Sequence, residues 1–147
     1  MSLTNDVRVE LYSFFRDAGR APDIAELASA VSASPEETTA ALLSLAAEDV
    51  IALWPGTQDV WLAHPFCARG GAFTVRAGAR QWEAICIWDA LGVLAVVESD
   101  GTVRTGCPDC GEQLVVGVTH GDIWGPPEAV VHFGVPSRLW YEDVGFT

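Results

Sequence analysis

The chain has 147 residues, half of them apolar, which suffices for a buried core and is too apolar for a disordered segment. Its net charge is −12, and its eight cations are all arginine, from Arg8 to Arg138. That balance argues against a nucleic-acid partner, because such affinity rests on basic side chains neutralising phosphates, and it works against docking on an anionic membrane.

The first residues show neither a basic start nor a continuous apolar run, so no signal peptide is expected. The longest apolar run, Ala90 to Val97, is broken by Gly92 and falls far short of the roughly 20 residues that span a bilayer. The chain reads as cytoplasmic. Its cysteines, Cys67, Cys86, Cys107 and Cys110, are then thiols, metal ligands or catalysts rather than disulfides.

Leu3 to Arg16 is predicted as a first helix, with Val7, Leu11, Phe14 and Phe15 at helical spacing and Gly19 as the stop. Pro22 is read as opening a second helix with Ile24, Leu27, Ala28 and Val31 inward. Ser34-Pro-Glu-Glu signals a third, with Ser34 as N-cap and Glu37 at the capping-box position. Two β-like runs follow, Val50 to Trp54 and Asp59 to Ala63, around the turn sequence Pro-Gly-Thr-Gln. Three helices and a hairpin make a winged-helix-like module over residues 1–63. Its third helix has no Arg or Lys between Glu36 and Asp49 and carries four acids there, so phosphate would repel it. The module is read as a structural or protein-contact element, not as a DNA reader.

Residues 64–147 are predicted as a mixed or antiparallel β core carrying a helix with the site, which makes the chain α+β. His64-Pro-Phe-Cys-Ala-Arg-Gly-Gly is expected as a joining loop, and Phe73-Thr-Val-Arg as a strand. A helix is expected across Gln81 to Leu91, then a buried strand from Val93 to Glu98. Ser99-Asp-Gly reads as a hairpin turn into Thr102-Val-Arg. Gln113 to Thr119 and Ala129 to Val135 read as strands by β-branched content, and a short last helix is expected around Trp140.

Two constellations carry candidate chemistry. In Trp82-Glu-Ala-Ile-Cys-Ile-Trp-Asp-Ala-Leu-Gly, a thiol, Cys86, and a carboxylate, Asp89, stand three residues apart in an apolar run. On a helix that spacing puts both on one face, a soft nucleophile beside a proton donor or acceptor. The plainer reading makes Cys86 a small core hydrophobe and Asp89 a solvent-facing residue. The second constellation is Thr105-Gly-Cys-Pro-Asp-Cys-Gly-Glu, whose Cys-x-x-Cys-Gly is the knuckle by which zinc ribbons present two thiolates. A structural zinc site needs four ligands, and no second Cys-x-x-Cys exists. His120, His132, Cys67 and His64 lack characteristic spacing. Cys107 and Cys110 could therefore hold a soft metal, form a reversible disulfide, or stabilise a turn.

Taken in order, these pieces resemble the alkylmercury lyases. The features that carry the resemblance are the helical N-terminal module, His64-Pro-Phe before Phe73-Thr-Val, the run Glu83-Ala-Ile-Cys-Ile-Trp-Asp-Ala-Leu-Gly, the Cys107 turn and Val130-Val-His-Phe-Gly-Val-Pro. The resemblance covers most of the chain. It implies protonolysis of a carbon–mercury bond, with Cys86 as the thiolate ligand and Asp89 as the proton shuttle. The residue types suit this: Hg(II) is soft and prefers thiolates, and protonolysis needs an acid beside the leaving carbon. The resemblance also implies a second catalytic cysteine near the C-terminal end; within these 147 residues no cysteine follows Cys110, so either that cysteine lies beyond Thr147 or this homologue lacks it.

The resemblance implies no required cofactor. Metal binding is expected at Cys86, with Cys107 and Cys110 as further ligands, and the ions are Hg(II), Zn(II) or Cu(II). The implied partner is a small organometallic or other small organic molecule, with neither nucleic acid nor membrane, and a homodimer is left open. The alternative is a lyase-fold homologue that binds soft or transition metal, or one repurposed for another small-molecule reaction. For that last role Trp82, Trp88, Trp124 and Trp140 would line an aromatic pocket; otherwise they are ordinary core.

Overall fold

The computed structural model describes residues 2–145. It divides into two compact units, Met1–Arg69 and Gly70–Thr147.

The first unit opens with three helices, α1 (Leu3–Ala18), α2 (Ile24–Val31) and α3 (Pro35–Ala47). Each begins on a side-chain cap, which satisfies N–H groups left without an intrahelical partner. Ser2 caps α1, while Asp23 with Glu26 and Ser34 with Glu37 form capping boxes on α2 and α3. Pro22 therefore lies before the cap of α2 rather than inside the helix: Asp23 can accept a hydrogen bond from Glu26 N–H, at 2.7 Å, and proline has no comparable side-chain acceptor. Val7, Leu11 and Phe15 of α1, Leu27 and Ala28 of α2, and Ala41, Leu42 and Leu45 of α3 are buried, and the three helices pack pairwise on these faces. Strands β1 (Ala52–Leu53), β2 (Val60–Ala63) and β3 (Phe66–Cys67) pair antiparallel in sequence order. The stretch expected as a joining loop at His64 thus contains a short strand, with Phe66 stacked on Phe15 at 5.4 Å between ring centroids.

In the second unit, β4 (Phe73–Ala77), β5 (Arg80–Ala84), β6 (Gly101–Gly106), β7 (Gln113–Thr119) and β8 (Asp122–Trp124) run in the order β5-β4-β6-β7-β8, every pair antiparallel. Helix α4 (Ile87–Val96) packs on β4, β5, β6 and β7. The packing needs a glycine at Gly101: a Cβ there would run into Leu94 of α4 and the Arg76 carbonyl. Helices with an antiparallel sheet make the chain α+β, as expected.

Several boundaries differ from the sequence-based ones. The helix expected across Gln81 to Leu91 is a strand in its first part. Trp82 and Ala84 are buried while Gln81 is exposed and Glu83 partly so, the period of two that a half-covered strand imposes. The buried strand expected from Val93 to Glu98 is instead helix as far as Val96. Ala90, Val93 and Leu94 are its buried apolar residues, an i, i+3, i+4 set that outweighs the β-branched composition. Ser99-Asp-Gly consequently links a helix to a strand and closes no hairpin. Ala129 to Val135 forms no strand, and Val130, Val131 and Phe133 are exposed. The final helix is a single 3₁₀ turn, Ser137–Leu139, and β8 was not anticipated.

Candidate active site

Cys86 is not inside a helix. It is the N-cap of α4, with extended backbone at φ −141° and ψ 169°. Its Sγ accepts a hydrogen bond from the Asp89 backbone N–H at 3.3 Å, and the Trp88 N–H also points at the sulfur. The 3.3 Å bond is the usual N-cap bond to the third helical residue, made by sulfur where serine or aspartate normally stands. The same spacing turns the Asp89 carboxylate back on the thiol, which donates a hydrogen bond to it. Asp89 is 9 % exposed, so the plainer reading of a solvent-facing carboxylate does not hold. Burial pushes the Cys86 thiol above its ordinary range, and the Asp89 charge and its hydrogen bond with the thiol act in the same direction. The N–H groups of Asp89 and Trp88 oppose this.

The pair is held from the strand side. Glu83 of β5 accepts a hydrogen bond from the Gly71 N–H at 2.9 Å, tying the chain before β4 to the end of β5. Ala84, two residues before Cys86, is fully buried opposite Phe73. Sequence reasoning found Cys86 and Asp89 but missed Glu83 and Gly71. Their signal was a carboxylate inside an apolar run and a double glycine before a strand.

Cys107 and Cys110 occupy the turn between β6 and β7. Cys107 N–H donates to the Glu112 carbonyl, and Gly111 N–H to the Cys107 carbonyl, both at 2.8 Å. Gly111 makes this possible with φ 76°, a left-handed conformation that glycine tolerates. The backbone N–H groups of Cys110 and Asp109 and the Cys110 thiol favour the ionised Cys107 sulfur and lower its pKa. Cys107 is half-buried, Cys110 exposed, and all four cysteines are free thiols. Cys67 is buried in the first unit, its thiol donating to the Arg69 carbonyl at 3.1 Å.

Among the described residues, no three His, Cys, Asp or Glu side chains form a group that could hold a metal ion. The expected set of Cys86, Cys107 and Cys110 therefore does not converge on one point: Cys86 is tied to the start of α4, the other two to a hairpin turn. Zn(II), which takes four ligands in structural sites, finds no such set there, and no group of three serves Cu(II) either.

The tryptophans do not form one pocket. Trp82 is core, Trp124 donates from Nε1 to Thr119 Oγ1 at 3.0 Å, and Trp140 donates to the Val135 carbonyl at 3.1 Å. Trp88 is 71 % exposed and lines an apolar groove of about 570 Å³ with Leu91, Leu94, Ala95, Val118 and Ile123. No described helix is long and apolar enough to cross a membrane.

A search of curated proteins returned no match. Among solved structures, the chain is similar to the crystal structure of the mercury-bound form of MerB2, with a TM-score of 0.62 and 17% sequence identity over 86% of this chain and 68% of that one. That likeness concerns the fold. The sequence model of the alkylmercury lyase family, MerB, matches residues 66–147, the stretch that holds Cys86, Asp89 and the Cys107 turn. The chain belongs to the alkylmercury lyase family.

Proposed function

We propose that this protein cleaves the carbon–mercury bond of small organomercurials by protonolysis, with Cys86 as the thiolate ligand and Asp89 as the proton carrier. The observation that carries the reading is the mutual hydrogen bonding at the start of α4, where one turn of backbone joins the sulfur, a carboxylate and two N–H donors.

The chemistry follows from those contacts. At rest, burial favours the neutral thiol. An organomercurial, R–Hg–X, exchanges its ligand X for Cys86; the S–H proton passes to the Asp89 carboxylate that already accepts its hydrogen bond, and X leaves as an anion. Sulfur then carries R–Hg, and the N–H groups of Asp89 and Trp88 stabilise residual negative charge on it, helped by the positive end of the helix dipole. Asp89 returns its proton to the carbon bound to mercury. The Hg–C bond breaks, R–H departs, and Hg(II) stays on Cys86 with X or a solution thiolate as second ligand. Protons and charge balance, and no cofactor enters the cycle. Binding a soft metal by sulfur and moving a proton by oxygen are separate tasks, and adjacent groups of those two types are what the reaction requires.

The test is release of benzene from phenylmercuric acetate in excess thiol. Wild-type protein should release it, and Cys86→Ser should not. A wild-type protein that releases no hydrocarbon would end this reading.

A further inference from the structure

We propose that Cys107 and Cys110 form a second, bis-thiolate site at the β6–β7 turn, one that takes Hg(II) independently of Cys86. Its use as acceptor for the reaction product rests on the lyase reading above.

A zinc-type site needs four ligands, and no group of even three candidate side chains exists among the described residues. Two sulfurs are enough for a soft ion that coordinates linearly. Cys107 and Cys110 stand three positions apart in one tight turn, closed by the Cys107 N–H to Glu112 carbonyl and Gly111 N–H to Cys107 carbonyl bonds, both at 2.8 Å. With metal–sulfur bonds of roughly 2.3 Å, a linear ion needs sulfurs roughly 4.6 Å apart, a span within reach of two cysteine side chains on one tight turn. The turn is closed on both sides by the bonds of Cys107 with Glu112 and Gly111, so the two side chains are held on a short, constrained loop. Preorganisation of that kind raises affinity by removing ordering entropy. The exposure of Cys110 leaves the pair open to exchange with thiols in solution.

Register then places the turn relative to Cys86. In the antiparallel ladder Ala84 pairs with Phe73, and Thr74 pairs with Arg104. Thr105 Oγ1 donates to the Ala72 carbonyl at 3.1 Å, which extends the alignment by a residue. The C-terminal ends of β5 and β6 therefore lie at the same end of the sheet, two strands apart, or about 10 Å at the usual strand spacing. Cys86 follows β5 by two residues, and Cys107 directly follows β6. Hg(II) held by Cys86 and a solution thiolate can pass to the pair by ligand exchange. Each new Hg–S bond replaces an old one, and the proton of the incoming thiol goes to the departing thiolate, with no redox change.

The experiment uses the full chain and HgCl₂ in excess glutathione, with bound mercury read by native mass spectrometry. Cys86→Ser protein should retain one Hg(II) per chain. Adding Cys110→Ser, a change at an exposed position, should weaken retention about a hundredfold, the loss expected when a chelate becomes a single ligand. Cys107→Ser on the same background should do likewise. Retention unchanged by either substitution, or no retention by Cys86→Ser protein, overturns the proposal. Benzene release separates the two ideas: a wild-type chain that releases none while the pair still retains Hg(II) removes the lyase reading and supports the second site.

Discussion

The Cys86 sulfur accepts a hydrogen bond from the Asp89 backbone N–H at 3.3 Å, so the candidate nucleophile is also the N-cap of α4. These two roles can be separated by experiment. Serine is among the preferred N-cap residues. Cys86→Ser should therefore fold normally and gain about 0.5–1 kcal/mol in urea denaturation, while mercury binding at this position disappears. A large loss of stability in this variant would show that the sulfur is held by packing rather than by capping.

Asp89→Asn keeps the backbone N–H that caps α4 and removes the carboxylate that accepts from the thiol. Loss of a negative side chain in a first helical turn costs about 0.3–1 kcal/mol, so the fold should survive. Binding of an organomercurial to Cys86 should persist, and hydrocarbon release should fall by about 10²–10⁴-fold, the usual contribution of a positioned acid or base. Equal loss of binding and release would instead assign Asp89 to holding the ligand.

The two thiol environments should differ in their response to pH. Burial raises the pKa of Cys86, whereas backbone N–H groups of Cys110 and Asp109 lower that of Cys107. Iodoacetamide labelling, mapped by mass spectrometry, should appear at Cys107 at lower pH than at Cys86. Linkage gives the stability effects. For Cys86 the folded state holds its proton more tightly than the unfolded chain, so its contribution is complete below the ordinary thiol range and is lost as pH rises through the raised pKa. Cys86→Ser should remove that part of the alkaline loss. The depressed pKa of Cys107 has the opposite sign: its contribution exists above the ordinary thiol range and fades as pH falls through the lowered pKa. Labelling of Cys86 before Cys107 would contradict both assignments.

Gly71 is a packing constraint on the site from outside it. A Cβ at this position would stand 2.5 Å from the Ala84 carbonyl oxygen, a backbone atom that cannot swing aside. Gly71→Ala should cost about 1–3 kcal/mol, as overpacked substitutions do, and should displace the end of β5 that leads into Cys86. A thermal melt matching wild type would show that the loop relaxes without strain.

Much of the chain was legible residue by residue. The Ser34–Glu37 capping box, the alternation of Phe73-Thr-Val-Arg, the β-branched run of β7 and the Cys86–Asp89 spacing are local codes, set by side chains within a few positions of one another. Where local codes conflicted, the sequence was ambiguous. Trp82 to Val97 is apolar enough for either a strand or a helix, and its division at Cys86 depends on which faces meet the sheet: Trp82 and Ala84 at a period of two, then Ala90, Val93 and Leu94 on one side of a helix. The Ala129 to Val135 run had strand composition but gained no ladder partner, and composition alone pairs no backbone.

Composition, charge and spacing by themselves thus determined the α+β class, argued against a polyanion partner, and singled out a thiol three residues from a carboxylate. Tertiary structure decided that Cys86 caps the helix rather than riding inside it, that Asp89 is buried, and that the Cys107 turn shares an end of the sheet with Cys86. Those outcomes depend on strand register and on what covers each face, which are set by contacts between residues far apart in the chain.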